Sequence, residues 1–389
     1  MFESKKSVKF HKSWRKSISA TEAVLKLTGV WPDKNSISRW IKIITFTVIA
    51  GIFDISIIVE LRNLLRIQDY EALSTHLSTF GLYIGYTVKI LIFQFKKKAF
   101  EEMIESIDQP LFEDYPPEME ANKDECIRVS NGISKFYISC VAASIFLYLN
   151  KPLYTDLPLP ISFSYELNTV TFFLVLCMQC FSCYYLVMIG ISFDMIIVGL
   201  INIATAQLDI LGEAIISFKP KNPNRLQEEE QAFLNKCAKK HQAVIRFVGQ
   251  IENVFTFIFL VQCLASVTSI CNGAFQLTHT QELLSIQALF NFAFTFDVLF
   301  EIGTICWFAG LLTIKSVEVS DACYKFNWLN SSTKTKRMLL IILLRSQRPM
   351  YVTAGTFIRL SMSSFLAVIK TAYSYFALMQ SLYDKKNNA

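Results

Sequence analysis

The chain has 389 residues, of which 52% are hydrophobic and only 18% charged, with 33 phenylalanines and a formal net charge of +6. Soluble domains carry about 25% charged residues, so this composition excludes a soluble globular protein of this length and points to a polytopic membrane protein. The ten cysteines lie mostly inside apolar stretches (Cys140, Cys177, Cys180, Cys183, Cys263, Cys271, Cys306) without a regular pairing pattern, which argues for small core residues rather than a disulfide framework.

The N-terminal stretch is basic and polar and has no apolar h-region, so no cleavable signal peptide is expected before the first span. Runs long enough to cross a hydrocarbon core of about 30 Å as helix occur seven times. They are Trp40 to Ile58, Leu73 to Phe95, Ile133 to Leu149, Asn168 to Ile201, Val254 to Phe275, Leu284 to Ile314, and Met350 to Leu382. The third is the shortest, with Lys135 near its start and Lys151 just beyond its end. The fourth, sixth and seventh exceed one membrane thickness, so each is expected to continue as helix beyond the bilayer. The seventh, read as one helix of roughly 50 Å at 1.5 Å per residue, would place Arg359 near the membrane boundary and Lys370 deeper, in need of water or a partner.

Lysine and arginine accumulate in cytoplasmic loops, and here they alternate. Residues 1–40 hold nine, 59–72 two, 96–132 five, 150–167 one, 202–253 seven, 276–283 none, 315–349 seven, and the tail two. The pattern puts the N-terminus in the cytoplasm and, after seven spans, the C-terminus outside. That orientation excludes a G-protein-coupled receptor, and neither Asp-Arg-Tyr after the third span nor Asn-Pro-x-x-Tyr in the seventh is present. The charged but periodic stretches NPNRLQEEEQAFLNKCAKKHQ and SSTKTKRMLLIILLRSQR read as helices continuing below the membrane.

On the seventh segment Ser364, Ala367, Thr371 and Ser374 fall on one side at helical spacing, and the same stripe reaches Leu378 and Leu382. Two readings stand. Hydroxyls suit a water-lined pathway closed by a ring of leucines that gates by dewetting, while small and hydroxyl residues also let two helices pack closely.

Three short motifs carry a family likeness: LTGVWP (Leu27 to Pro32), YKFNW (Tyr324 to Trp328) and TAYSYFALMQ (Thr371 to Gln380). They resemble the Gly-x-Trp-Pro, Tyr-x-x-x-Trp and C-terminal Tyr-Ser-x-Phe signatures of the insect odorant receptors. The resemblance implies an all-α membrane protein of seven helices with a cytoplasmic N-terminus, an extracellular C-terminus and long helices reaching a cytoplasmic anchor. It divides the chain into a cytoplasmic 1–39, a ligand-binding bundle 40–314, an anchor segment 315–349, a pore-lining helix 350–382 and an extracellular tail 383–389. It also implies a ligand-gated, non-selective cation channel in the plasma membrane of a sensory dendrite, with membrane lipid and permeating cations as its surroundings.

Carried over by position, the family's gate falls on Leu378 and Leu382, and the pore set becomes Thr371, Ser374, Leu378, Ser381 and Leu382. The region 202–253 lacks the long insertion of the family's co-receptor, so the chain resembles a ligand-tuned subunit that assembles with the co-receptor as a heterotetramer. The family's pocket lies in the outer half of the bilayer among the second, third, fourth and sixth spans. The residues that fall there are Thr79, Tyr83 and Tyr86; Ser144, Leu147 and Tyr148; Phe173, Cys177 and Phe181; and Phe290 and Phe294. This aromatic set with a few hydroxyls suits a small, mostly apolar volatile, although lipid contact or helix packing is the alternative for each ring.

Asp297 and Glu301 lie one turn apart inside the sixth span, where an unpaired carboxylate costs several kcal/mol. They read either as a polar element near the ligand or ion path, or as a structural pair with Lys370 or a neighbouring hydroxyl. The family resemblance places a Gln at the position of Glu301, so an acid there is a departure. The cysteines of CMQCFSC, at i, i+3 and i+6 without a nearby His or carboxylate, read as packing rather than a metal site. None of the four histidines pairs with a nucleophile or metal partner in sequence, and there is no phosphate-cradling glycine loop. No enzyme activity, cofactor, metal or nucleic-acid partner is expected. A gustatory-type channel is the nearer alternative; a secondary transporter would call for inverted repeats, which the two halves do not show convincingly.

Overall fold

A computed structural model describes residues 14–31, 37–67, 70–150, 168–220, 222–279 and 285–387. The short helix α1 (Ser19–Leu27), preceded by a 3₁₀ turn at Trp14–Ile18, leads into long helices α2 (Ile37–Ile67), α3 (Tyr70–Ile107) and α4 (Glu120–Leu149). Next come α5 (Thr169–Ser217), α6 (Leu226–His279), α7 (Ile286–Lys325), the short α8 (Thr333–Ser346) and α9 (Met362–Asn387). The seven expected spans correspond to α2 to α7 and α9. Among the described residues, four helices are apolar and long enough by themselves to cross a membrane: 117–149, Thr169–Ser217, Leu226–Thr278 and Ile286–Lys325. The other three run 31, 38 and 26 residues, also enough to span.

Helix α5 is apolar on every side, as a helix must be when others surround it. Its residues from Ile189 to Leu208 are all buried. The N-terminal segment lies across it: Trp14 is fully buried and donates its indole N–H to the Phe112 carbonyl at 3.2 Å. Gly199 makes that approach possible, because a Cβ there would stand 2.8 Å from Ile18. LTGVWP is the stop signal of α1. Gly29 takes φ +79°, and the Trp31 N–H returns to the Leu25 carbonyl at 2.9 Å, a glycine-terminated helix end.

Helices α5, α6 and α7 run well past the expected spans, and α6 and α7 pack against α8. Ser332 caps α8 through the Thr335 N–H at 3.2 Å, and Phe218 stacks between Phe233 and Phe326 at 4.3 and 5.7 Å. The periodicity of both charged stretches is therefore that of helices.

The expected helix from Met350 is broken. Pro349 follows α8, and residues 353–359 form a hairpin of β1 (Thr353–Ala354) and β2 (Ile358–Arg359), with Thr353 opposite Arg359. Gly355 and Thr356 take φ +65° and +72°, the left-handed geometry of a tight turn. The hairpin is pinned to α6: Glu252 accepts from the Thr353 N–H and hydroxyl, and the Thr256 carbonyl accepts from the Gly355 N–H at 2.9 Å. Arg359 thus sits in a strand, its guanidinium 4.4 Å from the Tyr351 ring centroid, rather than in a membrane helix. Ser361 and Ser364 bond each other's backbone N–H groups and cap α9, so Ser364 serves the helix start rather than a pore stripe.

Candidate functional site

Helices α3, α4, α5 and α7 enclose a cavity of about 90 Å³. From α3 it is lined by Leu82, Tyr83 and Tyr86, and from α5 by Cys183 and Val187. Helix α4 contributes Tyr137, Val141, Ser144, Ile145 and Tyr148; α7 contributes Phe290, Phe294, Asp297, Val298 and Glu301. On α4 and α7 these positions recur every three or four residues, the spacing that keeps side chains on one helix face. Tyr148 packs on Phe290 at 5.8 Å between centroids, and Phe290 on Phe294 at 6.1 Å.

Six residues expected in the pocket therefore converge: Tyr83, Tyr86, Ser144, Tyr148, Phe290 and Phe294. Four others do not line the cavity. Leu147 is half-buried on α4, while Phe173, Cys177 and Phe181 lie on the exposed side of α5. Phe181 stacks on Tyr185 at 5.9 Å instead. From α5 the cavity side carries Cys183 and Val187 instead, and an almost wholly apolar helix offers little sequence signal to choose between its faces. The Thr79 side chain lies outside the described residues. Sequence reasoning missed Tyr137 and Val141, which lie seven and three residues before Ser144 on the same α4 face and could have been found by stepping back from it.

One residue of the cavity wall, Glu301, belongs to a buried ionic cluster. Lys89 donates to both carboxylate oxygens of Asp194, at 3.0 and 2.9 Å, and reaches Glu301 at 3.5 Å. These side chains are only 1%, 1% and 2% exposed. The ammonium also lies 5.2 Å from the centroid of Tyr86, a cavity residue. Asp297, one turn above Glu301, accepts a hydrogen bond from Ser144 on α4. Of the partners weighed for these acids, Asp297 has the neighbouring hydroxyl, and the cation beside Glu301 is Lys89; Lys370 is exposed on α9.

A family model described as 7tm Odorant receptor matches residues 69–373. The chain belongs to the 7tm odorant receptor family. It is 26% identical over 195 residues to odorant receptor 85c of Drosophila melanogaster, covering 50% of this chain and 49% of that one. To odorant receptor 10 of Aedes albopictus it is 27% identical over 188 residues, 48% of each chain. The chain thus spans about half the length of these curated relatives. Its fold is similar to that of the olfactory receptor OR5 of Machilis hrabei in complex with eugenol, with a TM-score of 0.78 and 14% identity over 96% of this chain and 99% of that one. This is the fold of seven-helix receptors of the membrane, not of enzymes.

The second expected site is α9. Val368, Ala372, Phe376 and Met379 pack on Ile270, Cys271 and Val298 of α6 and α7. The opposite face, with Thr371, Ser374, Leu378, Ser381 and Leu382, is exposed in the single chain, the two leucines at 56% and 59%. The Thr371 and Ser374 hydroxyls bond back to the carbonyls of Ala367 and Lys370 at 2.8 and 3.0 Å, as hydroxyls on a helix commonly do. In CMQCFSC, Cys183 faces the cavity while Cys177 faces outward, so the three thiols do not converge.

Proposed function

We propose that this protein is the odorant-binding subunit of a ligand-gated, non-selective cation channel in the plasma membrane of a sensory dendrite. The N-terminus lies in the cytoplasm and the C-terminus outside, a reading supported by the alternation of basic loops. A small, mostly apolar volatile binds in the outer half of the bundle, and α9 lines a pore closed by Leu378 and Leu382. A co-receptor supplies the remaining subunits of a heterotetramer.

The observation that carries this reading is the enclosed aromatic cavity shared by α3, α4, α5 and α7. Its volume of about 90 Å³ is well below the roughly 300–1,000 Å³ of drug-sized ligand sites, so the ligand is small or displaces a ring on binding. The family match supports an odorant-type over a gustatory-type channel.

Expressing the chain with and without a co-receptor and recording currents against a volatile panel tests the function. Volatile-gated current only in the pair is expected; none, at normal surface staining, would overturn it. A tag after Ala389 should stain on intact cells and one before Met1 should not, and the reverse pattern would overturn the orientation.

A further inference from the structure

The cavity has an unusual charge balance for a pocket expected to take apolar volatiles. One ammonium, Lys89, faces two carboxylates, Asp194 and Glu301, and a third carboxylate, Asp297, stands on the cavity wall with a hydroxyl as its hydrogen-bond partner. Lys89 is already held by both oxygens of Asp194. Among the described residues no lysine or arginine lines the cavity. In a low-dielectric interior an excess carboxylate is neutralised either by a proton or by a cation, and the ammonium of a ligand beside Asp297 would supply both the charge and the proton. Four aromatic side chains, Tyr86, Tyr148, Phe290 and Phe294, line the same cavity as Asp297 from three helices. A carboxylate among aromatic rings is the chemistry that recognises an ammonium group, through a charge-assisted hydrogen bond and cation–π attraction.

We infer that the cavity takes a small protonated amine, its ammonium on Asp297 and its short hydrocarbon body against the rings of α4 and α7. The inference rests on the ligand-binding reading of this cavity. Asp297 is then the specificity-determining residue, and Ser144 positions its carboxylate. The small volume favours a body of about five carbons over a larger one.

The test compares isoamylamine with isoamyl alcohol, which share a carbon skeleton and differ in charge. Purified full-length chain is heated in detergent with each compound, and currents are recorded from the chain paired with a co-receptor. The amine should protect wild type against unfolding at lower concentration than the alcohol. Asp297→Asn should weaken the amine by about tenfold to a hundredfold, the loss expected for one charge-assisted hydrogen bond, and leave the alcohol within about threefold. Ser144→Ala keeps the carboxylate but releases it, so it should weaken the amine severalfold and leave the alcohol within about threefold, which keeps the question answerable if Asp297→Asn fails to fold. Equal potency of amine and alcohol on wild type, or equal losses of both in either variant, would overturn the inference. Because heat protection needs no channel, amine binding without any gated current would overturn the channel reading and leave this one standing.

Discussion

The aromatic cavity and the last helix both carry aromatic, hydroxyl and aliphatic side chains, yet one is lined within the chain and the other leaves a face exposed. Around the cavity the charged groups find each other across three helices: Lys89 of α3, Asp194 of α5 and Glu301 of α7 are almost wholly buried together. On α9 the face bearing Leu378 and Leu382 has more than half of each leucine exposed, while Ala372 on the opposite face is buried. On the proposed function, a single subunit carries the whole ligand cavity, whereas a pore wall built from this exposed face needs other subunits to complete it.

The largest expected effect breaks the first half of that contrast. Lys89→Met removes the only cation of the buried cluster and leaves Asp194 and Glu301 facing each other, an exchange that costs about 3–5 kcal/mol when one partner of a buried pair is lost. Thermal unfolding of the purified protein should show it as a large drop in midpoint, with surface staining lost in cells. Replacing the carboxylates as well, by Asp194→Asn and Glu301→Gln, should recover part of the stability. An unchanged midpoint in Lys89→Met would mean that water reaches the cluster and that the chain does not close its own cavity.

A smaller effect is expected where the ligand touches the wall. Tyr86→Ala and Phe290→Ala should each shift the ligand concentration dependence by about tenfold, equivalent to about 1.4 kcal/mol, with surface expression and co-receptor current retained. Gly190→Ala approaches the same ring from outside the cavity. The added Cβ would collide with the Tyr86 ring, which must move. A shift of severalfold in ligand response, without a change in unliganded current, is expected; unchanged tuning in all three variants would place the ligand elsewhere.

How much of this was legible in the sequence follows from where polar residues mark a helix face. On α7 the acids Asp297 and Glu301 share a stripe with Phe290 and Phe294, so its inner face could be read. On the first half of α5 the polar residues Gln179 and Ser182 are buried, but they are too few against the apolar background to set a phase, and Phe173, Cys177 and Phe181 fall outside the cavity lining. The partnership of Lys89 with Asp194 and Glu301 joins residues 105 and 212 positions apart, a distance over which spacing says nothing. The hairpin at 353–359 hid inside an apolar run because its signals, Pro349 before it and Gly355 at its turn, are single residues in a stretch otherwise long enough to span. LTGVWP and the two serines at the start of α9 are helix-end chemistry that acts locally, yet the first reads in sequence only as a family motif and Ser364 only as part of a hydroxyl stripe.

The smallest effect concerns the unfinished face and tests the second half of the contrast. Leu378 and Leu382 are one turn apart, and their burial of less than half in the single chain means that polar substitution there costs little folding stability. In the assembly a narrow apolar ring excludes ions by making them shed water, so Leu378→Ser should raise current without ligand or alter ion permeability, partially if co-receptor subunits supply the rest of the ring. Cysteines substituted one at a time from Ser374 to Leu382 sharpen the point, because reactivity follows the helix face. Those at 378 and 382 should react with small water-soluble thiol reagents applied from outside, faster in the presence of ligand. One at Met379, which packs on the cluster of Ile270, Cys271 and Val298, should react slowly, and one at Ala377 more slowly than at 378. A helix lying against lipid would leave every outward position equally unreactive to such reagents. A flat profile along α9 would therefore remove the pore assignment while leaving the cavity, and everything argued from it, untouched.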